Sequence, residues 1–153
     1  YGVAQLIVRK SLKKIDKDLF VLAAAYVLLA IFYVAFEKIV VNYRPVLENG
    51  EIAASYPSSH TMLTITIAST GIFMLRRRMT SRPALISAET LSGAVMLVMT
   101  VGRLLSGVHY FTDILGGVLL AAAIVMLFAA FLPAQNVQAA EQSFSATNGA
   151  NNE

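Results

Sequence analysis

The feature that most constrains the fold of this chain is an unbroken run of 18 apolar residues at positions 19–36. A helix needs roughly 20 mostly apolar residues to cross the hydrocarbon core of a bilayer. Only 14% of the residues are charged and the mean hydropathy is +0.66, whereas a typical soluble domain has about 25% charged residues. We therefore expect a membrane-spanning helix that begins near residue 19. It can continue to about residue 43, because Pro45 disfavours helix at the residue before it.

Three further helices are predicted downstream, at residues 59–75, 84–105 and 109–132. The first of these contains several Ser and Thr, so we expect it to lie among the other helices. Pro133 follows the last helix directly, as is common after a helix C-terminus. The predicted fold class is all-α, an integral membrane helical bundle with four spanning helices over residues 19–133.

The segments that flank this bundle differ from it in composition. Residues 1–18 begin with a short apolar stretch and continue with basic residues, so we interpret them as the end of a truncated upstream helix plus a basic cytoplasmic loop. Residues 134–153 are rich in Ala, Asn, Gln and Ser, which predicts a disordered cytoplasmic tail. The sequence has no cysteine, which excludes disulfides, thiolate metal sites and a cysteine nucleophile.

Most of the basic residues lie in two places, before the first helix and between the second and third helices. They are Arg9, Lys10, Lys13, Lys14 and Lys17, followed by Arg76, Arg77, Arg78 and Arg82. With four spans both groups fall on the same side, which the positive-inside rule makes cytoplasmic. Lys38, Arg44 and Arg103 then lie with both histidines at the outer edge, where ionisable groups suggest function. Nucleic acid is not an expected partner, because membrane topology accounts for the basic clusters.

His109 and Asp113 are four residues apart at the predicted start of the last helix, a spacing that places both side chains on one helix face. The carboxylate can accept the imidazole Nδ1–H, which fixes the tautomer and leaves Nε2 available as a nucleophile. Asp113 would also stabilise the positive charge that builds on the ring. The pair therefore indicates catalysis in which histidine itself attacks.

Two arginines and a helix N-terminus complete a predicted anion site at the same edge. Arg44 and Arg103 end the first and third helices, and two guanidinium groups suit a phosphoryl group, whose charge is spread over three oxygens. Ser58 or Ser59 is a favoured N-cap for the second helix, where exposed amides bind anions. His60 follows in the first turn, where it suits general acid work on the leaving oxygen.

Each of these residues also has a structural interpretation that the sequence leaves open. An arginine at a helix end can be an interfacial anchor, and a histidine near the interface can be structural. The His109–Asp113 pair can be a structural hydrogen bond or two ligands of a metal ion. A metal ion would need a third or fourth ligand, for which His60 and Glu37 are the nearby candidates. We expect no metal and no other cofactor.

Three short motifs, taken together and in order, resemble those of the type 2 phosphatidic acid phosphatase superfamily of lipid phosphatases. The family motifs are Lys-x6-Arg-Pro, Pro-Ser-Gly-His and Ser-Arg-x5-His-x3-Asp. The corresponding segments here are Glu37-x6-Arg44-Pro45, Pro57-Ser58-Ser59-His60 and Gly102-Arg103-x5-His109-x3-Asp113. Each segment lies at an outer helix edge, and together they span residues 37–113.

The resemblance implies a six-helix bundle of which this chain contains the last four helices. It also implies that His109 attacks phosphorus to form a phosphohistidine, that Asp113 orients His109, and that His60 protonates the leaving alcohol. No metal is implied. The residues expected to hold the phosphate are Arg44, Arg103, Ser58 and Ser59.

Three positions depart from the family pattern. Glu37 stands where the motif has lysine, and Lys38 comes one residue later, about 100° round the helix. Lys38 becomes the replacement phosphate ligand if the helix is locally distorted; otherwise the site lacks that cation. Ser59 replaces a glycine and Gly102 replaces a serine. We interpret these departures as signs of unusual substrate preference or reduced activity.

We therefore predict a metal-independent phosphatase that hydrolyses a lipid phosphate or pyrophosphate. It would lie in the bacterial cytoplasmic membrane, with its active site facing outside and its C-terminus in the cytoplasm. Its expected partners are the lipid substrate and membrane lipids, while the sequence does not fix the head group, the tail or the oligomeric state. Two alternatives stay open: a non-catalytic lipid-phosphate binder or scaffold, and a phosphotransferase that uses an acceptor other than water.

Overall fold

The computed structural model describes residues 17–47, 50 and 52–133, and the regular structure within these residues is helical. The helices are α1 (Lys17–Lys38), α2 (Ser59–Arg78), α3 (Arg82–Leu105) and α4 (Phe111–Phe131). They confirm the predicted all-α membrane bundle. The predictions of an upstream helix and a C-terminal tail concern residues 1–16 and 134–153, which lie outside the described residues.

Among the described residues, α1, α3 and α4 are long and apolar enough to cross a membrane. The fourth helix, α2, is of similar length, but its Ser and Thr residues and the three arginines of its last turn make it more polar. Four spanning helices were predicted, and by length and apolar composition three of the described helices qualify. The polarity of α2 is accommodated because it packs against the other three helices and buries Thr61, Thr66 and Thr70. The chain is thus a helical membrane protein whose most polar helix lies among the others.

The apolar core lies between α1, α2 and α4. Met62 of α2 and Ile124 and Phe128 of α4 are buried, and the Phe128 ring meets Phe73 edge-on with centroids 6.0 Å apart. The outward faces of α1, α3 and α4 instead expose large apolar side chains. Such faces suit a bilayer, because lipid tails are as apolar as leucine and the side chains need no protein cover.

The two ends of the bundle contain different charged groups. At one end, Asp18 near the start of α1 lies 3.2 Å from Nη2 of Arg78 and 3.6 Å from Nε of Arg77. Arg77 also donates a hydrogen bond to the carbonyl of Pro133, just after α4. These contacts join α1, α2 and α4 at the end of the bundle where the basic residues 76–82 lie. The candidate site residues lie at the opposite end, where α1 and α3 finish and α2 and α4 begin.

The first helix ends earlier than predicted, at Lys38 rather than near residue 43. The backbone that follows pairs with the chain just before α2. Ser55 N–H donates to the carbonyl of Asn42 at 3.0 Å, and the N–H of Arg44 donates to the carbonyl of Ala53 at 3.0 Å. This pairing satisfies backbone groups that a longer helix would have used, and it holds the α1–α2 loop against the end of the bundle.

The last helix begins later than predicted, at Phe111 rather than at residue 109. His109 therefore lies before the helix, and Asp113 lies in its first turn. The expectation that both side chains share one helix face is wrong for His109. The two residues nevertheless lie close together, with His109 Nδ1 3.6 Å from Asp113 Oδ2, because the turn before α4 directs the imidazole toward the carboxylate.

Candidate functional site

The turn between α3 and α4 places Arg103 next to His109. α3 ends at Leu105, and Gly107 then adopts a φ of +69°, a left-handed conformation that favours glycine. The chain reverses there, and Nη2 of Arg103, in the last turn of α3, comes to 2.7 Å from Nε2 of His109. Because His109 is only 5% exposed, water competes little with this contact.

Asp113 lies beneath His109 and accepts hydrogen bonds on both carboxylate oxygens. Its side chain is fully buried. Oδ1 accepts from Nδ2 of Asn42 at 3.0 Å. Oδ2 accepts from the backbone N–H of Tyr110 at 2.9 Å and from the hydroxyl of Ser55 at 2.5 Å. Asp113 therefore binds an otherwise unpaired N–H at the start of α4 and joins that helix to the α1–α2 loop.

Ser55 lies between Asp113 and His109. Its Oγ is 3.2 Å from Nδ1 of His109, whereas the 3.6 Å between that nitrogen and Oδ2 of Asp113 exceeds a normal hydrogen-bond length. An arginine side chain has no acceptor atom, so Nε2 of His109 accepts from Arg103 and Nδ1 carries the proton. The donors then run in one direction, from Arg103 to His109, from His109 to Ser55, and from Ser55 to Asp113.

The surroundings of His109 favour a neutral ring. Burial and the positive charges of Arg103 and Arg44 lower the pKa of His109 from its ordinary value of 6.5, and the charge of Asp113 and a backbone hydrogen bond with Ser55 oppose this shift. A neutral imidazole with its proton on Nδ1 has a lone pair on Nε2. The site thus contains a nitrogen that can act as a nucleophile once Arg103 moves off it.

A small cavity opens beside His109, and we call it the His109 cavity. Its polar wall residues include Glu37, Arg44, Ser55 and Ser59, and its aromatic ones are Phe32, Tyr33, Phe36 and Tyr56. Arg44 is held in place by a hydrogen bond from its Nε to the carbonyl of Ala54 at 3.2 Å. The cavity therefore brings a guanidinium, a carboxylate and the imidazole together at one end of the bundle.

The two residues at the end of α1 are placed differently. Both side chains are exposed, but Glu37 lines the His109 cavity, whereas Lys38 does not belong to the cavity wall as the described residues form it. The charge that stands at the family's lysine position is consequently negative, and Lys38 does not replace the cation in this conformation.

The start of α2 is held differently from the prediction. Ser58 occupies the N-cap position, as predicted, but its side chain makes no capping hydrogen bond. Its Oγ instead accepts from Oγ1 of Thr61 at 3.0 Å, and its N–H donates to the carbonyl of Asp113 at 2.9 Å. Ser59 begins the helix and lines the His109 cavity, with a helical backbone that serine adopts without strain. His60, next in the chain, is exposed.

Sequence reasoning did not identify Ser55 and Asn42 as parts of the site. Both are far from their partner Asp113 in the sequence, Ser55 by 58 residues and Asn42 by 71. Periodicity and short motifs do not predict pairs so far apart in the sequence. The sequence does show that each residue lies close to a motif: Ser55 is two residues before Pro57, and Asn42 is two residues before Arg44.

The sequence predicts that the site uses no metal ion, and this prediction can be compared with the possible metal ligands that the structure brings together. Within residues 17–47, 50 and 52–133, no group of three or more His, Cys, Asp or Glu side chains is placed to hold a metal ion. Metal-independent chemistry stays a prediction, and the roles of the site residues are developed below as proposals.

Comparison with known proteins identifies the family of the chain. The model of the PAP2 superfamily matches residues 18–136, a segment that includes all four helices apart from Lys17 at the start of α1, and every candidate site residue. Neither the curated proteins nor the solved structures contain a match to the chain. Since the family model covers well over half of the sequence, the chain belongs to the PAP2 superfamily.

Proposed function

We propose that this protein is a lipid-phosphate phosphatase whose reaction passes through a phosphohistidine at His109. Members of the PAP2 superfamily are generally phosphatases, which supports the reaction class. The observation that carries the proposal is the buried series of hydrogen bonds from Arg103 through His109 and Ser55 to Asp113. It holds a neutral imidazole nitrogen beside a cation, as expected where the phosphorus of an anionic group is to be attacked.

In the first step, Nε2 of His109 attacks phosphorus, so that a nitrogen–phosphorus bond forms and the bond from phosphorus to the leaving oxygen breaks. His60 gives its proton to that oxygen. The ring of His109 keeps its Nδ1 proton and becomes positive, and Asp113 stabilises this charge through Ser55. In the second step, water gives a proton to His60 and attacks phosphorus. The nitrogen–phosphorus bond then breaks, and phosphate leaves.

Arg103 has to move before Nε2 can attack, because its guanidinium lies 2.7 Å from that nitrogen. Hydrogen bonds from arginine to a phosphate are charge-assisted and about twice as strong as neutral ones. An arriving phosphate therefore draws Arg103 onto its own oxygens and uncovers Nε2. Arg44 and Ser59, which line the His109 cavity, and Ser58 at the N-cap of α2 are the other proposed phosphate ligands. Lys38 is omitted because it neither lines the cavity nor lies at that helix start.

A lipid substrate is supported by the apolar surface next to the site. On α3, whose last turn contains Arg103, Val98 is 71% and Leu105 is 80% exposed. A phosphate held by Arg103 can keep its hydrocarbon tail in the bilayer beside such side chains. The basic cluster of residues 76–82 lies toward the other end of the bundle, and the positive-inside rule then supports a site on the outer face.

The test compares two histidine variants on two substrates. His109→Ala should lose activity toward both a dispersed lipid phosphate and p-nitrophenyl phosphate, because the nucleophile is gone. His60→Ala should lose roughly 10²- to 10⁴-fold on the lipid phosphate, where the leaving alkoxide needs a proton. It should lose far less on p-nitrophenyl phosphate, whose phenolate leaves unprotonated. Phosphate release measures both rates.

A trapping experiment checks the intermediate. Full-length protein is mixed with ³²P-labelled substrate and quenched in alkali, since phosphohistidine is labile to acid. Label should appear on the wild-type protein and on His60→Ala, but not on His109→Ala. The mechanism would be overturned if the wild-type protein carried no label and His109→Ala released phosphate as fast as the wild type. Tight binding without turnover would instead indicate a lipid-phosphate binder, and labelled acceptor lipid would indicate a phosphotransferase.

A further inference from the structure

We infer that Ser55 is a positioning residue that fixes the tautomer and orientation of His109 by linking it to Asp113, in place of a direct hydrogen bond between the two. The inference rests on the proposed function, in which Nε2 of His109 is the nucleophile. It assigns a role to a side chain that lies outside the three motif segments.

The distances favour a link through the serine hydroxyl. Oγ of Ser55 is 2.5 Å from Oδ2 of Asp113 and 3.2 Å from Nδ1 of His109, whereas the direct distance between the carboxylate and the imidazole is 3.6 Å. All three side chains are buried, Ser55 at 2% exposure. Water therefore does not readily take the place of the hydroxyl.

The direction of the link follows from the number of protons available. A serine hydroxyl has one proton to donate, and a carboxylate only accepts. The proton of Ser55 therefore points to Asp113, and the oxygen presents a lone pair to His109. That lone pair requires a proton on Nδ1, which leaves Nε2 unprotonated and directed toward Arg103. Ser55 at Nδ1 and Arg103 at Nε2 thus favour the same tautomer, the one that can attack phosphorus.

Asn42 holds Ser55 in the position that this role needs. The N–H of Ser55 donates to the carbonyl of Asn42 at 3.0 Å, and Nδ2 of Asn42 donates to Oδ1 of Asp113 at 3.0 Å. Asn42, Ser55 and Asp113 consequently form a closed ring of hydrogen bonds. The position of the Ser55 hydroxyl is thus set by two contacts, the backbone hydrogen bond to Asn42 and the hydroxyl's own hydrogen bond to Asp113.

The link also affects the charge that His109 carries during the reaction. The charged groups that face His109 are Arg103 at the end of α3, Arg44 in the α1–α2 loop, Asp113 in α4, and Glu37, which lines the His109 cavity at the end of α1. Both arginines disfavour a positive ring. Asp113 and a backbone hydrogen bond with Ser55 act in the opposite direction and raise the pKa of His109. Ser55→Ala keeps the backbone contact and removes the hydroxyl that links the ring to Asp113, so we expect it to lower the pKa of His109 further.

The kinetic test uses Ser55→Ala, Ser55→Thr and, as a matched control, Ser69→Ala. Ser69 is a half-buried serine of α2 whose hydroxyl contacts the sulfur of Met96. Ser55→Ala should lower kcat/KM roughly 10- to 100-fold, the same range as the loss when a residue that orients a metal-bound histidine is removed. The acid limb of its pH profile should move to lower pH, because protonation of His109 abolishes the nucleophile. Ser55→Thr keeps the hydroxyl and should recover most of the rate, and Ser69→Ala should match the wild type.

A second measurement reads the tautomer without requiring turnover. The sequence has two histidines, so ¹⁵N-histidine labelling gives a simple NMR spectrum, and a His60→Gln variant assigns the signals. Wild-type His109 should be protonated on Nδ1 and unprotonated on Nε2. Arg103 also favours this tautomer, because it donates to Nε2, so the tautomer effect of Ser55 is measured without it. Arg103→Ala should keep the proton mainly on Nδ1, whereas the double variant Arg103→Ala/Ser55→Ala should show a measurable share of the Nε2-protonated tautomer at neutral pH. Because this spectrum is independent of activity, failure of the proposed phosphatase function would appear in the rate assays and leave the tautomer test readable.

Two outcomes would overturn the inference. An unchanged rate and pH profile in Ser55→Ala, with the same tautomer in Arg103→Ala and in the double variant, would mean that Asp113 orients His109 directly. A loss of rate in Ser55→Ala with an unchanged acid limb, and again the same tautomer in Arg103→Ala and the double variant, would mean that Ser55 acts only in folding. The expected combination is a lower rate and a shifted acid limb in Ser55→Ala, recovery in Ser55→Thr, and a mixed tautomer in the double variant.

Discussion

Glu37 gives the His109 cavity a negative charge at the position where the family motif has a lysine. It shares the cavity wall with Arg44, so a phosphate that enters meets one cation and one anion there. A carboxylate beside a phosphate repels it by several kcal/mol at short range in a partly shielded site, and by much less where solvent screens both charges. Since Glu37 is exposed, we expect the smaller effect.

Substitution of Glu37 by lysine should therefore strengthen phosphate binding. We expect Glu37→Lys to lower KM for a lipid phosphate about tenfold, equivalent to about 1.4 kcal/mol, with a smaller change in kcat. Initial rates over a range of substrate concentrations measure both constants. Lys38→Gln, at the exposed neighbour, is the control and should leave both nearly unchanged. A higher KM in Glu37→Lys would contradict this account, and would indicate that Glu37 accepts a hydrogen bond from the substrate.

At this scale the sequence indicates the chemical groups of the site better than their contacts. Residue types and motif spacing were enough to propose His109, Asp113, Arg44 and Arg103, and the structure brings these four to one end of the bundle. The placement of a hydroxyl between His109 and Asp113 was not predictable. It depends on backbone pairing between the two arms of the α1–α2 loop, and that pairing is set by tertiary structure.

The packing of α4 on the start of α2 depends on two consecutive glycines. A Cβ at Gly117 would lie 2.8 Å from the carbonyl oxygen of Ser58, and one at Gly116 would lie 2.8 Å from the hydroxyl of Tyr56. The backbone of Ser58 at Gly117, and the Tyr56 ring at Gly116, therefore approach α4 more closely than a side chain at either glycine would permit. This approach is what allows Ser58 N–H to reach the carbonyl of Asp113.

Gly117→Ala should destabilise the bundle, because its new methyl group meets a backbone atom that cannot rotate away. Overpacking of this kind typically costs about 1–3 kcal/mol, so we expect thermal unfolding in detergent at a temperature several degrees below that of the wild type. Activity should fall in parallel, since α4 carries Asp113. Gly71→Ala is the matched control: its Cβ would meet nothing within 4 Å, and alanine favours helix over glycine. Equal destabilisation of both variants would refute the packing argument.

The apolar runs were enough to predict all four helices, but they did not predict two of the helix ends at the site. α1 was expected to reach about residue 43, but its end at Lys38 frees Asn42 and Arg44 to join the loop. His109 was expected inside the last helix and lies before it. Apolar periodicity marks which residues enter the bilayer, whereas the ends depend on hydrogen bonds to distant backbone and side-chain groups.

The whole molecule separates two sets of charges along the bundle. Antiparallel helices bring the end of α1, the start of α2 and the α3–α4 turn to one end, where Arg44, Arg103 and His109 lie. The arginines at the end of α2 lie at the other end, where two of them pair with Asp18. This convergence was predictable from the order of the spans. The internal position of α2 also agrees with its polarity, although its composition falls short of a membrane span by itself.

Orientation in the membrane is the last prediction, and the natural absence of cysteine makes it directly testable. Ser106 lies in the turn at the site end, Ser81 lies in the connection between α2 and α3, and both are exposed. The positive-inside rule places the arginines beside Ser81 in the cytoplasm. We therefore expect a membrane-impermeant maleimide to label Ser106→Cys in intact cells, and to label Ser81→Cys only after permeabilisation. The reverse pattern, in variants that retain phosphatase activity, would place the site in the cytoplasm and restrict its substrates to lipids of the inner leaflet.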